Sequence, residues 1–348
     1  MKRAAVWDVL ARWETLLVGL LVATLVWGSV RSEFFFEGSN FTVASSNFME
    51  RAIMALPMTL IIIAGEIDLS VGSILGLASA ILGITWDAGW PLWLCIAAAL
   101  LLGAVCGLLN GLLVTRLGLP SLVVTLGTLA LYRGLAYVVL GGSGGQKAIS
   151  DFPAGFADFG FDPIPGTVLP WSTLIFLPLV ALFFVLLHRS WIGRQIYATG
   201  LNKEAARFST VRVARLKIAL YVASGTLAAL AGVIFTARVS SSRADNALGF
   251  ELDVIAAVLL GGVSIFGGRG TLVGVLLSLA IVATLRNALA ITNVGPDIQS
   301  FAVGGLLILS VLGPNLARRI PRGGPRHGPG SSGFRPTSEP RTEPQPGD

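Results

Sequence analysis

Charged side chains are scarce in this sequence: only 13% of its 348 residues are Asp, Glu, Lys or Arg, whereas 54% are hydrophobic. A water-soluble domain carries about 25% charged residues. The missing charge excludes a soluble protein and indicates that most of the chain lies in lipid. The apolar runs are continuous rather than alternating, which excludes a transmembrane β-barrel. The composition therefore predicts a polytopic, all-α membrane protein.

Cysteine and histidine are also rare. Cys95 and Cys106 lie eleven residues apart, about 16 Å along a helix, which is too far for a disulfide. The two histidines, His188 and His327, fall in a predicted inner loop and in the tail, so no metal site or nucleophile constellation is predicted. The P-loop pattern G-x-x-x-x-G-K-[ST] does not occur. The sequence thus predicts no catalytic residue, cofactor or metal, and the chain is not expected to be an enzyme.

Ten apolar segments are long enough to be membrane spans. They lie near 13–30, 50–65, 69–86, 91–115, 120–140, 169–188, 214–238, 252–266, 270–290 and 297–313. With both termini in the cytoplasm, the inner segments and tail hold 18 Lys and Arg residues and the outer segments, including 31–50, 141–168 and 239–251, hold 5. This asymmetry matches the positive-inside rule. Since the basic residues follow the membrane, the net charge of +6 does not indicate nucleic-acid binding.

The sequence divides into three regions. A cytoplasmic N-terminus (1–12) precedes a transmembrane domain (13–317) whose segment 189–213 is cytoplasmic, and residues 318–348 form a tail. The tail is rich in Pro, Gly and Arg and is predicted to be disordered. Its arginines next to the last span, Arg318, Arg319 and Arg322, favour anionic lipid headgroups.

Polar residues interrupt the apolar pattern at "GEIDLSVGS" (65–73) and "GGVSIFGGRGT" (261–271). Irregular backbone at membrane depth is tolerated only where it is buried or lines water, so paired breaks point to a transport pathway. Glu66, Asp68 and Ser70 are predicted to hold a hinge or gate near the cytoplasmic face, with Asp68 capping a helix that starts at Leu69. The alternative is an ion-coupled secondary carrier that uses Glu66 or Asp68 as its proton site.

Two arginines lie within predicted spans. Arg133 and Arg286 fall in the outer half of the membrane, where an arginine either faces a cavity or snorkels to the interface. With Asn110, they are the predicted substrate-pathway residues. Glycines at four-residue spacing, such as Gly103 and Gly107, are read as packing sites between helices.

The inner segment 188–217 contains a short predicted helix. Asn202 caps it, Glu204 lies in its first turn, and Ala205 and Ala206 propagate it. On composition alone the segment is better explained as a solvated basic inner loop.

Four stretches resemble the permease subunits of bacterial ATP-binding-cassette (ABC) sugar importers, the ribose/galactose/xylose/rhamnose permease family. They are "GEIDLSVGS" (65–73), "GLLNGLLVTRLGLPSLVVTLGTLALYRGLAYVVLGG" (107–142), "IGRQIYATGLNKEAARFS" (192–209) and "LLGGVSIFGGRGTLVG" (259–274). Glu66, where many members have glycine, makes the chain similar to the rhamnose-type branch.

The resemblance implies that segment 192–209 carries a cytoplasmic coupling helix that docks on an ATPase subunit. The implied coupling residues are Gly200, Asn202, Glu204, Ala205, Ala206 and Arg207. It also implies a multi-pass protein of the bacterial inner membrane whose partners are an ABC ATPase, an extracytoplasmic sugar-binding protein, a second or sister permease, and membrane lipid. The expected function is import of a monosaccharide, with rhamnose as the preferred substrate and another pentose or hexose as the alternative.

Overall fold

The computed structural model describes residues 13–141, 147–209 and 211–319, and describes the side chains of these ranges apart from 307 and 309–319. The predicted cytoplasmic N-terminus (1–12) and residues 320–348 of the predicted tail lie outside the described residues. The three-region division of the sequence stays a prediction.

Thirteen α-helices occur in the described ranges. They are α1 (Trp13–Arg31), α2 (Gly38–Ile63), α3 (Val71–Asp87), α4 (Leu92–Arg116), α5 (Ser121–Val139), α6 (Ala154–Phe161), α7 (Thr173–His188), α8 (Trp191–Leu201), α9 (Lys203–Phe208), α10 (Val213–Val239), α11 (Phe250–Leu260), α12 (Leu272–Ile291) and α13 (Pro296–Arg319). A short 3-10 helix covers Glu33–Phe36. Extended structure in these same ranges is limited to two isolated β-bridges. The all-α prediction is confirmed.

Each of the ten predicted spans contains a helix. Among the described residues, six helices are long and apolar enough to cross a membrane, or seven if the bent pair α7–α8 counts as one span. Helix α3 is apolar but slightly too short to count as a membrane span. Helix α11 has only 11 residues because it ends at the second break.

Two predicted boundaries were wrong, and one predicted outer segment contains a further helix. Helix α2 begins at Gly38, so most of the predicted outer segment 31–50 is helical. The predicted span 252–266 is helical only to Leu260. The predicted outer segment 141–168 contains α6, where Gly160 lies against the backbone of Arg238 at the end of α10. At the end of α11, a glycine in the left-handed conformation rather than the apolar run sets the boundary.

Helices α2 and α10 form the centre of the bundle. In the 18-residue apolar stretch of α2, 89% of the residues are buried inside the protein, and in that of α10, 61% are buried. Close contact between α4 and α10 depends on glycine: a Cβ on Gly103 would collide with the carbonyl oxygen of Gly225, and a Cβ on Gly107 with that of Tyr221. These glycines are therefore packing residues, as predicted.

Candidate functional site

Both predicted breaks begin with the same helix ending. Helix α2 ends before Gly65, which has φ +80°; its N–H donates to Ile62 (2.9 Å), and the Glu66 N–H donates to Ile61 (3.0 Å). This is the Schellman pattern, in which glycine adopts the left-handed conformation that other residues avoid. Gly262 (φ +86°) ends α11 with the corresponding bond to Leu259 (2.9 Å). The glycines in the sequence thus determine where both helices stop.

The inner segment forms an elbow followed by a short helix. Helices α7 and α8 meet at an angle of 64°. The side chain of Ser190 caps α8 by accepting hydrogen bonds from Ile192 and Gly193. Asn202 then caps α9, since its Oδ1 accepts from the N–H groups of Glu204 and Ala205, both at 3.0 Å. The predicted cap and short helix are confirmed.

Helix α9 presents most of its side chains to the outside of the subunit. Phe208 is 91% exposed and Leu201, just before the helix, is 65% exposed. Of the predicted coupling residues, Asn202, Glu204, Ala205 and Arg207 are exposed, whereas Ala206 is buried against the bundle. The helix therefore has one face available to a partner and one side chain anchored in the permease.

The end of α8 touches both helix breaks at one place. Four glycines meet there, and we call this contact the glycine junction: Gly65, Gly200, Gly267 and Gly268. The N–H of Gly268 donates to the carbonyl of Ile63 at 2.8 Å, which ties the second break to the end of α2. A Cβ on Gly200 would collide with that same carbonyl and lie 2.5 Å from Gly268 N. Only glycine permits three backbone segments to approach so closely.

A buried ion pair fixes the first break beside the start of α10. Glu66 accepts a hydrogen bond from Lys217, and their side chains are only 11% and 3% exposed. The adjoining backbone is held as well: the Ile67 N–H donates to Ser121 Oγ at 3.3 Å. Sequence reasoning placed Lys217 among the inner basic residues and missed its role as the partner of Glu66.

Asp68 lies at the centre of a buried hydrogen-bond network. Its Oδ1 accepts from the N–H (3.0 Å) and hydroxyl (2.6 Å) of Ser70, and its Oδ2 accepts from Ser224 at 2.8 Å. Asn110 donates to Ser70 Oγ at 2.8 Å, and Tyr132 donates to Asn110 Oδ1 at 3.2 Å. The network joins the break to α4, α5 and α10.

The predicted capping by Asp68 needs correction. The helix begins at Val71 rather than Leu69, and Ser70 occupies the N-cap position. Asp68 precedes the helix and accepts hydrogen bonds from Ser70 in the turn and from Ser224 on α10. It needs both partners because a fully buried carboxylate requires several donors.

The three predicted pathway residues do not come together. Asn110 belongs to the buried network of Asp68. Arg133 donates to the carbonyls of Ala244 (2.7 Å), Asn246 (2.8 Å) and Gly72 (3.0 Å), which ties the outer segment after α10 to α3. Arg286 lies in a separate outer pocket, paired with Asp253 at 2.5 Å. Their proposed contact with substrate stays a prediction.

Comparison with known proteins identifies the family. A family model described as the permease component of a branched-chain amino acid transport system matches residues 42–311. The chain is 37% identical to the autoinducer 2 import system permease protein LsrD of Yersinia enterocolitica, over 88% of this chain and 92% of the relative. It is 36% identical to the LsrD proteins of Yersinia pseudotuberculosis and Yersinia pestis over the same shares.

No solved structure matches the chain significantly. The family match covers both breaks, the elbow and the glycine junction, and the relatives align along almost their whole length. The chain therefore belongs to the predicted family, the permease subunits of ABC sugar importers: a multi-pass protein of the bacterial inner membrane that works with a separate ATPase subunit and an extracytoplasmic binding protein.

Proposed function

We propose that this permease imports a monosaccharide-sized polyol and that α9 is the coupling helix gripped by the ATPase. The glycine junction is the observation that carries the proposal. It connects the segment before α9 to both helix breaks through backbone contacts, so a displacement of α8 and α9 moves both breaks directly.

The proposed mechanism uses the two breaks as hinges. ATP binding closes the ATPase subunits and shifts α9, and the elbow and glycine junction pass this shift to residues 64–70 and 261–271. The Glu66–Lys217 pair and the Asp68 network hold the break in one arrangement until that shift occurs. Coupling requires that substrate affinity differ between the outward and inward arrangements, since otherwise ATP changes no equilibrium. A second permease copy or a sister permease completes the pathway.

Two substrates follow from different observations. The sequence resemblance favours rhamnose, whereas the relatives at 36–37% identity are named for autoinducer 2 import. We favour an autoinducer 2-like molecule because that identity extends along 88% of the chain, while the rhamnose assignment depends on short stretches such as the one around Glu66. Uptake of both compounds by the same reconstituted importer distinguishes them.

Site-directed cross-linking tests the coupling role. The two native cysteines are buried, so Arg207→Cys introduces an accessible thiol on α9. It should cross-link to the ATPase in a nucleotide-dependent way. Trp93→Cys is the matched control: Trp93 is 69% exposed at the predicted outer end of α4 and should not react with the ATPase. An unreactive Arg207→Cys variant in an active complex would show that α9 does not couple.

Reconstitution tests the transport class. We expect uptake only when the ATPase and ATP are present. Uptake by the permease alone, driven by a proton gradient, would instead establish the ion-coupled carrier with Glu66 or Asp68 as its proton site.

A further inference from the structure

A small basic pocket lies at the predicted outer ends of several helices. Its volume is about 240 Å³, below the ~300–1,000 Å³ of pockets for drug-sized ligands. Three arginines line it: Arg51 on α2, Arg238 in the last turn of α10, and Arg286 in the outer half of α12. The proposed coupling mechanism uses none of them.

The charges around this pocket do not balance. Asp253 accepts from Arg51 at 2.9 Å and from Arg286 at 2.5 Å, so one carboxylate serves two guanidinium groups. Arg238 pairs with Glu50 at 2.7 Å. Three cations and two carboxylates leave one positive charge. Within the described part of the chain, two buried atoms of this cluster have no hydrogen-bond partner, the Nε of Arg286 and the Oε2 of Glu50. The three arginines and two carboxylates therefore give the pocket a net positive charge.

An open apolar groove of about 550 Å³ continues from the pocket. The two cavities share Ala44, Phe48, Ala283 and Asn287 as lining residues. The groove follows α12 back to Leu276. The stretch from Asn287 to Leu276 is about 16 Å long at 1.5 Å per residue. This length is close to one leaflet of a hydrocarbon core about 30 Å thick.

We propose that this composite site binds an anionic phospholipid of the outer leaflet. The phosphate occupies the arginine pocket, and one acyl chain fills the groove. Guanidinium groups bind phosphate oxygens through strong, directional hydrogen bonds. A soluble sugar would accept hydrogen bonds from the arginines but would not balance their charge or fill the groove, whereas an anionic phospholipid matches both parts. The bound lipid bridges α2, α10 and α12 at their outer ends.

The headgroup half of the site is tested in the intact importer. The permease–ATPase complex is reconstituted with equal amounts of phosphatidylglycerol and phosphatidylcholine, extracted, and its retained lipids are quantified by mass spectrometry. Wild-type protein should retain phosphatidylglycerol preferentially. Arg286→Gln should reduce this preference about fivefold, the effect of one basic residue on an anionic headgroup. Asp253 keeps Arg51 as a partner in this variant, so folding is expected to persist.

A matched control removes an outer arginine elsewhere. Arg243→Gln deletes the same charge from the outer segment after α10, where Arg243 pairs with Asp245. This variant should keep the wild-type preference. Equal retention of both lipids by the wild type, or equal effects of the two substitutions, would overturn the proposal.

The groove half is tested by filling it. Ala280→Phe places a ring in the groove and should lower retention of phosphatidylglycerol, whereas Ala97→Phe, on an exposed face of α4 outside the groove, should not. Competition with inorganic phosphate then distinguishes a lipid ligand from a soluble anion. If millimolar phosphate displaces the retained lipid and Ala280→Phe has no effect, the ligand is a soluble anion and the lipid assignment is wrong.

Discussion

Replacing Gly200 with alanine tests the glycine junction most directly. The added Cβ would meet backbone on two sides, the carbonyl of Ile63 and the N–H of Gly268, and neither is the flexible end of a side chain. Relief therefore requires that α8 move away from the breaks or that the Gly268–Ile63 hydrogen bond of 2.8 Å be lost.

The expected free-energy change is a balance of opposing effects. Gly200 lies in α8, where alanine improves helix propensity by up to about 1 kcal/mol. Overpacking destabilises by about 1–3 kcal/mol. Loss of the hydrogen bond destabilises by a further ~0.5–1.5 kcal/mol. Since these two costs together exceed the gain in propensity, we expect a net destabilisation of about 0.5–3.5 kcal/mol.

The assay separates coupling from stability. Gly200→Ala is assembled with its ATPase and binding protein, and the thermal unfolding midpoint, ATP hydrolysis and substrate uptake are measured together. We expect a lowered midpoint and fewer substrate molecules imported per ATP. The control is Gly19→Ala on α1, which has no atom within 4 Å of the added Cβ and should keep full coupling.

One result would refute this reasoning. If Gly200→Ala unfolds at the wild-type temperature and transports with wild-type efficiency, the close backbone contact does not carry the motion. A lowered midpoint with full coupling would make the junction purely structural.

Three further predictions concern individual side chains. Lys217→Met leaves Glu66 buried and unpaired, so it should destabilise the protein by about 3–5 kcal/mol, and adding Glu66→Gln should restore most of the thermal midpoint. Asn202→Ala removes the α9 cap, worth about 1 kcal/mol, and should increase proteolysis at α9 and lower ATPase coupling, whereas Asn202→Asp, which keeps an acceptor, should not. The hydrogen bonds from Arg243 lower the pKa of Asp245. The resulting stabilisation is present above the ordinary pKa of about 3.9 and lost as the pH falls below it. The difference in midpoint between wild type and Asp245→Asn should therefore disappear in acid, and a difference that grows in acid would contradict this sign.

Local features of the chain could be predicted because they depend on neighbouring residues. Long apolar runs predicted the helices, since a span must satisfy its own backbone in lipid. Asn202 predicted the cap of α9, because the donors it bonds lie two and three residues away. The glycine and polar pattern of "GEIDLSVGS" predicted a break near the correct position. The family followed from the order and spacing of such stretches.

The tertiary structure alone decided which groups meet. Nothing near Asp68 in the sequence indicates Ser224, and nothing near Glu66 indicates Lys217, because these pairs are separated by 156 and 151 residues. The same holds for the glycine junction: the sequence predicted two breaks and a short helix in the inner segment, but their contact depends on how α2, α8 and α11 end relative to one another. Spacing along a chain determines local hydrogen bonds and helix lengths, whereas a buried charge takes its partner from whichever helix packing brings within reach.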